Sequence, residues 1–147
     1  MTLNETDRKI LKNLLEDARF SSRQIAKKIG VSVGTVLSRI KKMEEKGLIK
    51  GYSAILDQEK LGYQLTVLTE ITVSKGKLVE MEKEIAKNPN VCGVYDVTCL
   101  TDAVIIAKFK NREELGGFTK YLLSLPYLER TNTHVVLTTV KENFRLL

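Results

Sequence analysis

The pattern of apolar residues changes character near residue 60, and that change limits the fold more than any other feature. Before about residue 60 the apolar residues recur at helical spacing; from Leu65 onward β-rich alternating runs are interleaved with helical ones. Glu5 to Asp17 carries Ile10, Leu11, Leu14 and Leu15 on one stripe, with Asn4 or Thr6 placed to cap it. Ser21 or Ser22 opens a short second helix, in which Ile25, Ala26 and Ile29 face inward and Gly30 is a left-handed terminator. Ser32 caps a third helix, Val33 to Lys46, which stops at Gly47. Three short helices with a glycine turn between the second and third read as a helix-turn-helix. The following "LIKGYSAILD" is predicted to form a small wing.

The second half reads as β-α-β-β-α-β. "LTVLTEITV" places Val67, Thr69, Ile71 and Val73 on one face of a strand. A helix with Leu78, Met81, Ile85 and Ala86 inward ends at Asn88-Pro89. "VCGVYDVTC" and "AVIIAKF" are the next strands, "NREELGGFTKYLLSL" is a helix stopped by Pro126, and "TNTHVVLTTV" is the fourth strand. The expected fold is therefore α+β. A winged helix-turn-helix (1–57) is joined by a short polar hinge (58–64) to a ferredoxin-like βαββαβ domain (65–147). The last residues, "VKENFRLL", either close the sheet or contact a neighbouring molecule.

Charge separates the two halves. Residues 1–60 hold thirteen Lys and Arg against eight Asp and Glu; residues 61–147 hold eleven against ten. A basic N-terminal half beside a nearly neutral one points to a nucleic-acid module joined to something else. On the third helix, Val36, Ile40 and Met43 form the packed side, with Leu37 at its margin. The opposite side carries Gly34, Ser38, Lys41, Lys42 and Glu45, flanked by Thr35 and Arg39. Small residues permit close approach to base edges, and hydroxyls bond to bases or phosphates. Arg39 suits a bidentate guanine contact or a phosphate clamp. Lys41, Lys42 and Lys46, with Arg23, Lys27 and Lys28 from the second helix, suit the flanking backbone. The partner implied is double-stranded DNA: the major groove of the RNA duplex is too deep and narrow for a helix, and residues 21–50 hold no aromatic to stack single strands.

Other classes find little support. No apolar run is long enough for a membrane helix, and the polar N-terminus lacks a signal core, so a cytoplasmic protein is expected. Cys92 and Cys99 are about 23 Å apart on extended chain, beyond disulfide reach, and read as packing residues. With His134 as the one histidine, neither a metal site nor a catalytic centre is expected, and no cofactor is called for.

The residues carry a family resemblance. "D-x-x-I-L-x-x-L" from Asp7 to Leu14, "A-K-K-I-G-V-S" from Ala26 to Ser32, and "R-I-K-x-x-E-x-x-G-x-I-x-G-Y" from Arg39 to Tyr52 resemble the Lrp/AsnC, or feast/famine, regulatory proteins. The resemblance implies a transcription regulator that binds partly palindromic operators as a homodimer and assembles into tetramers or octamers. It implies a C-terminal ligand-sensing and assembly domain, with a small amino acid bound between dimers. The ligand loop would be Leu100, Thr101 and Asp102, with Thr131 and Thr133 from the last strand. Asp102 would meet the ammonium group. The loop departs from the family pattern, because Cys99 stands where a glycine is usual and Thr101 where an aromatic is usual.

Two competing readings remain open at this level. A DNA-wrapping architectural protein with weak sequence preference has the same composition. Some tetrapyrrole decarboxylases have similar chains, but this one lacks tryptophan and any compact His/Arg/Tyr run.

Overall fold

A computed structural model describes residues 2–98 and 100–147, so expectations for Cys99 lie outside the described residues. The chain divides into two compact units: the residues up to Ile55 together with Glu142–Leu147, and Leu56–Lys141.

The first unit contains α1 (Glu5–Glu16), α2 (Ser22–Ile29) and α3 (Val33–Glu45). Each begins with a side-chain cap. Asn4 accepts from the Asp7 N–H while Asp7 accepts from the Asn4 N–H, and Ser21 and Gln24 do the same for α2. Ser32 accepts from the Thr35 N–H at 3.0 Å, a bond worth about 1 kcal/mol at a helix start. Gly30 ends α2 at φ 74°, a conformation that a β-carbon would strain, and this fixes the turn into α3. Ile10, Ile25, Ala26, Val36 and Met43 form the buried centre where the three helices meet.

The expected wing has no strand. Leu48 and Ile49 donate to the Met43 carbonyl, and residues 50–56 then run without regular structure. A wing needs two segments to pair, and β-type composition in one segment cannot supply the second. At the end of the chain, closure of the sheet is the alternative that the structure does not show. Glu142–Leu147 groups with the helices, where Arg145 Nη1 donates to the Leu15 carbonyl at 3.4 Å, and it adds no strand to the sheet.

The second unit holds β1 (Leu65–Val73), α4 (Leu78–Ile85), β2 (Val91–Asp96), β3 (Ala103–Phe109), α5 (Arg112–Ser124) and β4 (Leu128–Val135). The antiparallel sheet has the order β2-β3-β1-β4. Period-two burial makes this sheet one-sided. Val67, Thr69, Ile71 and Val73 of β1 and Ala103, Ile105, Ala107 and Phe109 of β3 are buried, beside Met81 and Ile85 of α4 and Phe118 and Leu122 of α5. Phe109 and Phe118 lie with ring centroids 5.2 Å apart, each burial contributing roughly 1.5–3 kcal/mol. Thr69 is the polar exception, and its hydroxyl bonds to that of Thr133 at 3.0 Å.

Strand β4 starts earlier and ends earlier than its composition suggested. Its register runs from Leu128 opposite Val73 to Val135 opposite Val67, so β1 sets its length and Thr138 to Val140 have no partner strand. Cys92 is exposed rather than packed, because it lies at the register shift between Val91 and Gly93 on an edge strand.

Candidate nucleic-acid interface

Helix α3 presents its packed side through Val36 and Met43, which are fully buried. The other side is open: Gly34, Ser38, Lys41 and Lys42 are all exposed. A β-carbon at Gly34 would meet only the Ser32 Oγ, at 3.9 Å. The fold thus has room for a side chain there, and glycine costs a helix about 1 kcal/mol relative to alanine. The bareness belongs to the outward face, not to packing. The Ser38 hydroxyl makes no hydrogen bond among the described residues and keeps its full donor and acceptor capacity. Ser32 and Thr35 are partly spent on each other, with hydroxyls 2.9 Å apart.

The basic residues divide by what they already hold. Arg23 and Lys27 on α2, and Lys42 and Lys46 at the end of α3, are exposed and make no ion pair among the described residues. Lys28 lies 3.5 Å from Glu16 and sits over the Phe20 ring at 3.8 Å. Lys41 faces Glu45 at 3.9 Å, one helical turn on. Such surface pairs are worth at most about 1 kcal/mol and yield readily to a stronger anion.

Arg39, unlike the other expected DNA contacts on α3, already faces a buried carboxylate. Its guanidinium lies 3.6 Å from Asp7 Oδ1, with the Arg39 side chain 36% exposed and the Asp7 side chain 1% exposed. The structure holds it toward α1 rather than extended toward solvent. Asp7 was the residue missed in the sequence. Its signal is positional: Asp7, Ile10, Leu11 and Leu14 fall at i, i+3, i+4 and i+7, so a carboxylate occupies the apolar stripe.

Tyr52 fixes the segment after α3 by donating to Glu44 Oε1 at 2.9 Å. Burial, with this bond and the Glu44 charge, pushes its phenol up to about 12. The raised value means the bond's contribution is complete below the ordinary tyrosine value of 10 and is lost as pH rises through about 12.

In the sheet unit the expected ligand residues are brought near one another without converging. Asp102 donates its N–H to the Ile71 carbonyl at 2.9 Å, and its Oδ2 accepts from the Val73 N–H at 2.7 Å. Thr131 lies opposite Ile71, and Thr133 opposite Thr69, on the other side of β1. Two strand spacings, ~10 Å, therefore separate Asp102 from Thr131. Leu100 is almost wholly exposed and Thr101 half-buried. His134 is exposed, 3.0 Å from Asn132 and 3.8 Å from Glu70. Among the described residues there is no metal-binding group of His, Cys, Asp and Glu, and no helix is long and apolar enough to cross a membrane.

Residues 3–50 match a family model described as winged helix-turn-helix DNA-binding. Residues 66–146, more than half of the chain, match one described as the Lrp/AsnC ligand binding domain. The chain belongs to the Lrp/AsnC family. It is a DNA-binding transcription regulator of that type. A helix-turn-helix transcriptional regulator of Pyrococcus furiosus is 49% identical over 99% of each chain. The regulator FL11 of Pyrococcus horikoshii is 39% identical over 98% of this chain and 95% of its own. A transcriptional regulator from Neisseria meningitidis, solved as a complex with L-Met, superposes with a TM-score of 0.90 at 26% identity, over 99% of this chain and 97% of that one. The Lrp/AsnC relatives are transcription regulators, and the tetrapyrrole-enzyme reading gains nothing from them.

Proposed function

We propose that this Lrp/AsnC regulator binds a partly palindromic DNA operator in the cytoplasm as a homodimer, with α3 in the major groove. Gly34 and Ser38 face base edges. Arg23, Lys27, Lys42 and Lys46 neutralise phosphates, with Lys28 and Lys41 joining when their surface pairs open. Ser32 and Thr35 shape the helix start against the backbone. The observation that carries this reading is the outward face of α3, small and hydroxylated at its start, together with four exposed cations on and beside α2 and α3 that make no ion pair among the described residues. The test is selection of random double-stranded DNA by the purified protein at physiological salt. Enrichment of a partly palindromic site is expected; retention without any consensus would favour a DNA-wrapping role.

The sheet supports the assembly and effector parts of the proposal. Its face away from α4 and α5 carries Leu68 opposite Ile106, with Val104 opposite Glu70, a partly apolar patch suited to a second sheet in a dimer that builds tetramers or octamers. The Neisseria relative's L-Met complex supports a small amino acid as effector. Because Asp102 and Thr131 lie ~10 Å apart across β1, a small amino acid would meet the loop Leu100, Thr101 and Asp102 in one chain and complete its contacts from a neighbouring dimer. Thr131 and Thr133 border that region. Asp102→Ala is expected to abolish any change in DNA affinity or assembly on adding L-methionine, while the protein still binds DNA. A methionine response that survives in this variant would remove Asp102 from the pocket.

A further inference from the structure

The Asp7–Arg39 pair differs from every other ion pair near α3. Lys28 and Lys41 face exposed carboxylates, whereas Asp7 is buried and its Oδ1 has no hydrogen-bond partner. Arg39 is its counter-charge, and Arg39 also stands at the flank of the face proposed to meet DNA. To a guanidinium, a carboxylate and a phosphate oxygen are alike.

We infer that Asp7 is a specificity-determining positioning residue, an internal anion that occupies Arg39 and withholds it from DNA phosphates. The inference rests on the reading of α3 as the DNA-facing helix. Phosphate contacts add affinity without sequence information. Each cation withheld lowers binding to random DNA and leaves base contacts a larger share of the total. Exposed pairs cannot do this, because their carboxylates are solvated when the lysine leaves. Asp7 cannot be solvated without opening the core, so releasing Arg39 strands a buried charge. Arg39 therefore stays with Asp7 when DNA docks.

The test uses the full chain, random-sequence duplex DNA and the salt dependence of binding. Asp7→Asn keeps the size and the acceptor for the Asn4 N–H but removes the charge. The freed Arg39 is expected to reach a phosphate, steepening the slope of log K against log salt by about 0.9 and tightening random-DNA binding about fivefold at physiological salt. The double variant Asp7→Asn/Arg39→Gln is expected to return both quantities to wild type. It removes both charges together, so it reports even if the single variant fails to fold.

An unchanged or shallower slope in a folded Asp7→Asn protein would overturn the inference. So would a double variant about one unit shallower than wild type, which would place Arg39 on a phosphate in the native protein. Lys42→Ala, measured alongside, tests the DNA face separately. A drop of about one unit supports that face, whereas a wild-type slope would overturn it and the inference built on it.

Discussion

Replacing Arg23, Lys27, Lys42 and Lys46 together by alanine is expected to weaken DNA binding on the order of 10³-fold at physiological salt. Each phosphate neutralised contributes about 0.9 to the slope of log K against log salt, so four lost contacts flatten it by nearly four units. All four are exposed and hold no acidic partner among the described residues, so their full charge is available to the DNA backbone. The fold should tolerate the change. Surface substitutions of this kind usually stay within about 0.5 kcal/mol each, and removing like charges from one face relieves repulsion. Binding titrations across a salt series measure both quantities. A slope flattened by less than one unit would mean that most of these cations do not touch DNA, and α3 would lose its assignment. Lys28 and Lys41 make an internal comparison, since each must first leave Glu16 or Glu45. Their single substitutions are expected to cost less than those of Lys42 or Lys46.

The fold was legible wherever burial follows a simple period. Ile10 and Leu14 marked α1, and the Val67-Thr69-Ile71-Val73 alternation marked the inward face of β1, because each element packs on one side. Helix starts were legible at Asn4 or Thr6, at Ser21 or Ser22 and at Ser32, because capping is local chemistry within four residues; the structure uses Asn4, Ser21 and Ser32. What failed depended on partners distant in sequence. The segment after α3 has β-type residues but forms no strand among the described residues, and β4 takes its limits from β1 rather than from its own threonines and valines. The candidate site divides the same way. Composition and the helical wheel identified the open side of α3. They could not show that Arg39 turns toward Asp7, thirty-two residues earlier, because the wheel assigns a direction to the Cβ and not to a long side chain.

Arg39→Met is expected to destabilise the helical unit by about 2 kcal/mol, with the sheet unit unchanged. Methionine keeps much of the apolar stem and removes the charge. Asp7 then remains 1% exposed with no cation beside it. Breaking a fully buried pair from one side costs roughly 3–5 kcal/mol; the Arg39 end is 36% exposed, which lowers the expected loss. Hydrogen exchange of the α1 and α3 amides reads the loss directly, because these helices carry the two partners. Adding Asp7→Asn should recover most of it, since a neutral amide needs no counter-charge and can still accept the Asn4 N–H. Recovery in the double variant would establish the coupling as a property of the pair. If the single variant is as stable as wild type, Arg39 does not neutralise Asp7 and is free to act elsewhere. In that case the sequence-based expectation of a direct DNA contact would be the better account of this residue. Stability and DNA binding thus give independent readings of one guanidinium, which either holds α1 to α3 or leaves them for the groove.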